Sequence, residues 1–252
     1  MRRFGVGVTD IGRRRVSNED AYFVDDELGL YAVADGMGGH KAGEVASQEA
    51  IDTLHGMVKR GEDILHQIAA GNTSEELLRK ATRLLESAVQ AATYMVFSIS
   101  QVDPNQQGMG TTLSALLVCG KIGITAQVGD SRVYLVREGV CSQLTEDHTL
   151  IAWQMKQGII TAEQAAHSPH KNVITRAVGS REYVQVDTAV LLIQPGDAFL
   201  LCSDGLHGYV RDESEIPPMI ELGTEQAARS LVDMANERGG RDNITAVVIQ
   251  IS

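Results

Sequence analysis

The chain has 252 residues, 43% hydrophobic and 22% charged, a composition that excludes a disordered polymer. Its length suits one large domain or a domain with a small inserted lobe. A net charge of −11 argues against nucleic acid or an anionic membrane as partner, since either would want a basic face.

In chain order, short strands are predicted at Phe4 to Thr9, Ala21 to Val24 and Leu30 to Ala34, separated by Gly, Asp and Asn turns. A helix follows from about Ala42 to Val58, with Ala46, Ala50, Leu54 and Met57 on one stripe and Gly61 closing it. A longer helix is expected to start near Thr73, in a capping box with Glu76. Its apolar residues keep a helical period from Leu77 to Ile99, and Pro104 and Gly108 end the region. Three runs then read as antiparallel strands on hairpin-like glycine links: Thr112 to Cys119, Lys121 to Val128 and Arg132 to Val136.

The stretch 146–182 breaks this pattern, with a short amphipathic piece at Leu150 to Ile159 and then polar residues, and is read as a mobile excursion. Asp147 is a candidate cap for the helix start at its base, and His148 part of that turn. Strands return at Thr188 to Ile193 and Ala198 to Cys202, followed by a helix from Thr224 to Glu237 and a last strand from Ile244 to Ile251. Strands grouped at both ends, with helices in blocks, point to antiparallel sheets covered by helices rather than a βαβ sheet.

Cys119, Cys141 and Cys202 are odd in number, widely spaced and mostly within apolar runs, which suits buried thiols in a reducing compartment. Met1 to Gly5 has no apolar signal-peptide core, and no stretch approaches the ~18 apolar residues of a membrane span. The expected location is the cytoplasm, with no membrane partner.

Four aspartates stand at strand ends with a glycine beside them or one residue away: Asp35, Asp130, Asp204 and Asp242. Each Asp-Gly pair alone is an ordinary turn former. Together they could bring a cage of hard oxygen ligands to one sheet edge, as magnesium or manganese requires. Asp35-Gly36-Met37-Gly38-Gly39-His40 carries three glycines, more than a turn needs, which suggests close backbone approach to a ligand. Ser203-Asp204-Gly205 and Arg241-Asp242-Asn243 have hydrogen-bonding neighbours suited to supporting a metal site. Arginine beside such a cage could hold a phosphate bidentately, and Arg13-Arg14-Arg15 lies between the first two strands.

With Arg15-Val16-Ser17-Asn18-Glu19-Asp20, Gly110-Thr111-Thr112, Gly129-Asp130-Ser131-Arg132, Leu201 to Leu206 and Gly239 to Thr245 in order, the chain resembles the metal-dependent type 2C serine/threonine protein phosphatases in a compact bacterial form. The resemblance implies an α+β, four-layer αββα sandwich of two antiparallel sheets with helices on both outer sides, and a single catalytic domain over 1–252. It implies two Mg2+ or Mn2+ ions per active site, with Asp35 bridging them, the Gly36 carbonyl on one and Asp204 and Asp242 on the other. Asp130 matches the position that holds a third ion with Asp204, Arg15 the phosphate-binding arginine, and Glu19 and Asp20 residues that hold metal-coordinated waters. The stretch 146–182 resembles the flap beside the active site.

The implied reaction is hydrolysis of phosphoserine and phosphothreonine in proteins by a metal-activated bridging water, opposing a serine/threonine kinase, by a monomer. No serine or cysteine nucleophile is required. Many eukaryotic relatives carry a histidine after the Asp-Gly pair, proposed as general acid; here that position is Met37, and His40, three residues on, is the candidate donor beside the alternative of a non-catalytic loop histidine. Two other functions share these residues: a regulatory protein binding a phosphoprotein without turnover, and a hydrolase of small phosphate esters. The complete set Asp35, Asp204 and Asp242 counts against the first, and the lack of an obvious deep specificity loop against the second.

Overall fold

The structure is a computed structural model and describes residues 1–38, 42–170 and 172–252. Strands β1 (Arg3–Asp10), β2 (Asp20–Asp25) and β3 (Leu30–Met37) lead into helices α1 (Ala42–Arg60), α2 (Glu62–Ala69) and α3 (Glu75–Val102). Next come β4 (Gly110–Thr111), β5 (Leu113–Cys119), β6 (Ile122–Val128), β7 (Arg132–Arg137) and β8 (Val140–Gln143). Short helices α4 (Leu150–Lys156) and α5 (Ala162–Ala166) occupy the predicted excursion. The chain ends with β9 (Asp187–Leu192), β10 (Ala198–Cys202), α6 (Asp204–His207), α7 (Ile216–Ile220), α8 (Thr224–Glu237) and β11 (Ile244–Ile251).

The strands form two sheets in which every pairing is antiparallel, ordered β1-β11-β10-β7-β8 and β2-β3-β5-β6-β9, with β4 continuing along β3. Three apolar clusters fill three separate layers. One lies between the second sheet and α1 and α3, with Leu54, Leu85, Leu113 and Ile124 among its members. Another, including Leu200, Leu231 and Val248, lies between the first sheet and α8. The third joins the inner faces of both sheets through Tyr31, Leu116, Phe199 and Val247. Three apolar layers make four structural ones, the αββα sandwich expected. Because β5, β6 and β10 are covered on both faces, every residue in them is buried, including Ser114, Thr125 and Gln127 among mostly apolar neighbours.

α1 buries Ala46, Ala50 and Leu54 at helical spacing, and α3 answers with Ala81, Leu85, Ala88 and Ala92. The predicted cap of α3 is displaced by one residue. Ser74, not Thr73, accepts from the Leu77 amide at 3.4 Å, because a capping oxygen reaches two or three residues onward and α3 begins at Glu75. Glu76, the expected partner, pairs instead with Lys80 at 2.7 Å. Gly61 closes α1 but also allows the chain to turn straight into α2: a Cβ there would stand 2.3 Å from Leu84 of α3, so it marks close helix packing as well as a stop. Elements β8, α5, α6 and α7 carry too few residues to show a period in the sequence.

Candidate functional site

Register brings the acidic turns to one end of the sandwich. In the second sheet Asp20 opens β2 directly opposite Asp35 on β3, so both carboxylates leave the same face. In the first sheet Cys202, at the end of β10, pairs with Arg132 at the start of β7 and Ala246 near the start of β11. Asp204, Asp130 and Asp242 therefore emerge from neighbouring strand ends. The two sheets meet through Asp20: its Oδ2 accepts from Ser203 Oγ at 2.8 Å and Thr245 Oγ1 at 2.6 Å.

The electrostatics follow from crowding. Burial, then Asp20, Asp204, Asp130 and Asp242, push the Asp35 carboxyl well above the usual carboxylate range. Asp204 is raised by burial and by Asp242, although a hydrogen bond with Asp35 works against the shift. Burial raises both Asp20 and Asp130 to about 7, with Asp204 adding repulsion in each case. Arg15, an exposed residue, reaches into this acidic cluster and donates from Nη2 to Asp242 Oδ2 at 2.7 Å.

Each carboxylate is held by a backbone that other residues immobilise. Thr112 Oγ1 accepts from the Asp35 amide, while the Thr112 amide and Thr111 Oγ1 both donate to the Asp35 carbonyl, all at 2.9 Å. This gives Gly110-Thr111-Thr112 its use. Asn243 is buried and staples the loop that presents Arg15: Oδ1 accepts from Glu19 N at 2.8 Å, and Nδ2 donates to the carbonyls of Ile11 and Ser17. Gly36 packs so closely that a Cβ would stand 2.2 Å from the Gly43 carbonyl oxygen and 2.5 Å from that of Glu19. The Gly43 position in turn lies under the Glu19 carboxylate, with 1.9 Å to a built Cβ.

Of the sequence-predicted residues, Arg15, Glu19, Asp20, Asp35, Gly36, Asp130, Asp204 and Asp242 come together at this end. His40 lies outside the described residues. Asp147 is not a helix cap: Thr149 takes that place by accepting from the Ala152 amide, and Asp147 instead binds Arg132. Thr112 and Thr245, which lie in motifs that carry the resemblance but to which it assigns no role, belong to the site's support, as does His207, whose ring donates to the Asp130 carbonyl at 2.9 Å. Cys119 and Cys202 are buried and Cys141 half-buried, none is bonded to another, and burial raises their thiols to about 11, 12 and 12 respectively, which leaves no thiolate nucleophile.

The donor set fits a hard divalent cation. Five clustered carboxylates face one arginine, and Asp20 Oδ1 is buried with no hydrogen-bond partner among the described residues. Among those residues no three His, Cys, Asp or Glu side chains already stand as a closed chelate; Asp242 is turned to Arg15, and Asp204 to Asp35.

Comparison with known proteins agrees with this geometry. The chain is 37% identical over 247 residues to the serine/threonine phosphatase stp of Listeria monocytogenes serotype 4b, covering 96% of this chain and 93% of that protein. Its fold matches the crystal structure of the Mycobacterium tuberculosis serine/threonine phosphatase PstP/Ppp with a TM-score of 0.87 at 34% identity, over 100% of both chains. The PstP catalytic domain in complex with two manganese ions matches with a TM-score of 0.83 at 33% identity, over 99% of this chain and 98% of that one. The protein phosphatase 2C profile spans residues 12–238, and the chain belongs to that family.

Proposed function

We propose that this protein is a metal-dependent phosphatase that hydrolyses phosphoserine and phosphothreonine in proteins. The observation that carries the reading is the convergence of Asp20, Asp35, Asp130, Asp204 and Asp242 at one sandwich end, with Arg15 against Asp242. Asp35, the Gly36 carbonyl, Asp204 and Asp242 would hold two Mg2+ or Mn2+ ions, Asp130 with Asp204 a third, and Glu19 and Asp20 waters around them. Such ions supply a nucleophilic water at neutral pH and offset charge on the phosphoryl oxygens. Asp242 fixes one nitrogen of the planar Arg15 fork, and the remaining donors present themselves to the phosphate. The crowded carboxylates repel one another when ionised, and a bound cation offsets that repulsion while leaving their oxygens free as ligands.

The substrates on this reading are phosphorylated proteins made by a serine/threonine kinase, met by a monomeric enzyme in the cytoplasm whose single domain spans 1–252. Among the described residues no helix is long and apolar enough to cross a membrane. The test is Asp204→Asn: hydrolysis of a phosphothreonine peptide should nearly vanish while circular dichroism stays native. Near-wild-type turnover with Mg2+ or Mn2+ would defeat the proposal.

A further inference from the structure

Asp147 and His148 stand where the chain leaves the sandwich for 146–182, and their side chains grip the turn that carries Asp130 from both sides. His148 is buried; its Nδ1 accepts from the Gly129 amide at 3.1 Å, and its own amide donates to the Gly129 carbonyl at 2.9 Å. Asp147 takes Arg132 in a fork, Nε to Oδ1 at 2.9 Å and Nη2 to Oδ2 at 2.7 Å. Asp130 lies between the two gripped residues. Gly129 has a left-handed φ of +101°, and a Cβ there would meet Thr112 at 2.6 Å, so the turn depends on a tightly enclosed position that only glycine fills without strain.

The imidazole is itself oriented from its far side. Because Nδ1 accepts, Nε2 carries the proton and donates to Asp187 Oδ2 at 3.0 Å. Arg176, on the returning limb of 146–182, holds the other oxygen of Asp187 at 2.8 Å. A continuous hydrogen-bond series thus ends on the residue before Asp130.

We infer that His148 is a positioning residue that holds Asp130 in place for the outer metal position, with Asp187 and Arg176 setting its ring. The inference rests on the metal role proposed above for Asp130. An imidazole that fixes a ligand-bearing backbone from one nitrogen and is itself fixed at the other resembles the outer-shell partners of metal sites, whose loss weakens metal binding by about 10–100-fold.

Two near-isosteres separate the contacts. In His148→Asn the amide oxygen can replace Nδ1 toward Gly129; in His148→Gln the amide nitrogen replaces Nε2 toward Asp187 and the Gly129 contact is lost. Mn2+ binding is followed by calorimetry, and exchange of the Gly129 amide by NMR on 15N-labelled protein, neither of which depends on turnover. His148→Gln should weaken only the weakest Mn2+ step by about 10–100-fold and speed Gly129 exchange about tenfold or more. His148→Asn, which keeps the Gly129 contact and loses the one to Asp187, should fall between wild type and His148→Gln on both measures. Should His148→Gln not fold, Asp187→Asn replaces it: faster Gly129 exchange with a weaker third step supports the inference, and wild-type values overturn it. The control is Asp130→Asn. If it leaves the isotherm unchanged, the metal role of Asp130 fails and the inference with it. If it removes the weakest step while His148→Gln binds and exchanges like wild type, the positioning role alone is refuted.

Discussion

Gly205→Ala probes whether the site depends on how closely α6 approaches the turn before β11. Gly205 follows Asp204 in α6 and has no left-handed φ, so alanine is conformationally allowed and would gain about 1 kcal/mol in helix propensity. Space decides the sign. A Cβ would stand 1.8 Å from the Asn243 carbonyl oxygen, where real Cβ contacts below 3.0 Å are essentially absent. The gap must open by about 1.2 Å, and overpacking of this kind costs about 1–3 kcal/mol. Neither wall yields easily: Asn243 is fixed by three side-chain hydrogen bonds and runs into β11, while the Gly208 amide is bonded to the Asp204 carbonyl at 2.8 Å. The strain is relieved by moving Asp204 away from Asp242, the two carboxylates proposed to share an ion. A misplacement of about 1 Å at a reacting centre costs on the order of 100-fold in rate. We expect kcat on a phosphothreonine peptide at saturating Mn2+ to fall roughly 100-fold, while the net cost of about 0–2 kcal/mol lowers Tm by no more than about 8 °C. Turnover within about twofold of wild type, at an unchanged or raised Tm, would refute the reasoning, since it would mean the two carboxylates need no fixed spacing.

Asn243→Ala removes three hydrogen bonds to the loop that presents Arg15, each worth about 1 kcal/mol; KM for the phosphopeptide should rise roughly tenfold or more, and an unchanged KM in steady-state kinetics contradicts the staple. With a chelator present, the carboxyls of Asp20 and Asp130, raised to about 7 in the fold, keep protons that the unfolded chain releases above about 4. Stability should therefore fall as pH rises through that window, and excess Mn2+ should restore it at pH about 8; urea melts that strengthen from pH about 5 to about 8 in chelator would oppose this assignment. His40→Ala should slow a phosphoserine peptide more than p-nitrophenyl phosphate, whose leaving group needs no proton; equal losses on both argue against a general acid at this position.

The parts of the fold legible in the sequence depend on one segment at a time. Ala198–Cys202, Thr224–Glu237 and Ile244–Ile251 match their predicted bounds because each has a clear apolar pattern and an acid, glycine or proline at its edge. The aspartates proposed to bind metal are visible for the same reason, as strand-end punctuation. What escapes depends on pairs distant in the chain. Thr112 reads as an ordinary strand threonine until register sets it against Asp35, 77 residues away. Asp147 reads as a cap because an acid precedes an amphipathic stretch, and only the β7 register makes Arg132 its partner.

Asp20 shows how far that limit reaches into function. Its nearest partners, Ser203 and Thr245, lie 183 and 225 residues away, and both donate to the same oxygen. That oxygen ties the second sheet to the first, while the other, Oδ1, is buried and keeps no partner among the described residues. A buried carboxylate oxygen without a partner is costly unless something positive or a water bound to it completes its shell. One residue therefore closes the sandwich with one oxygen and leaves the other to the site. On the proposed reading, this is why an acid that serves the metal site stands at the join of the two sheets rather than on a free loop.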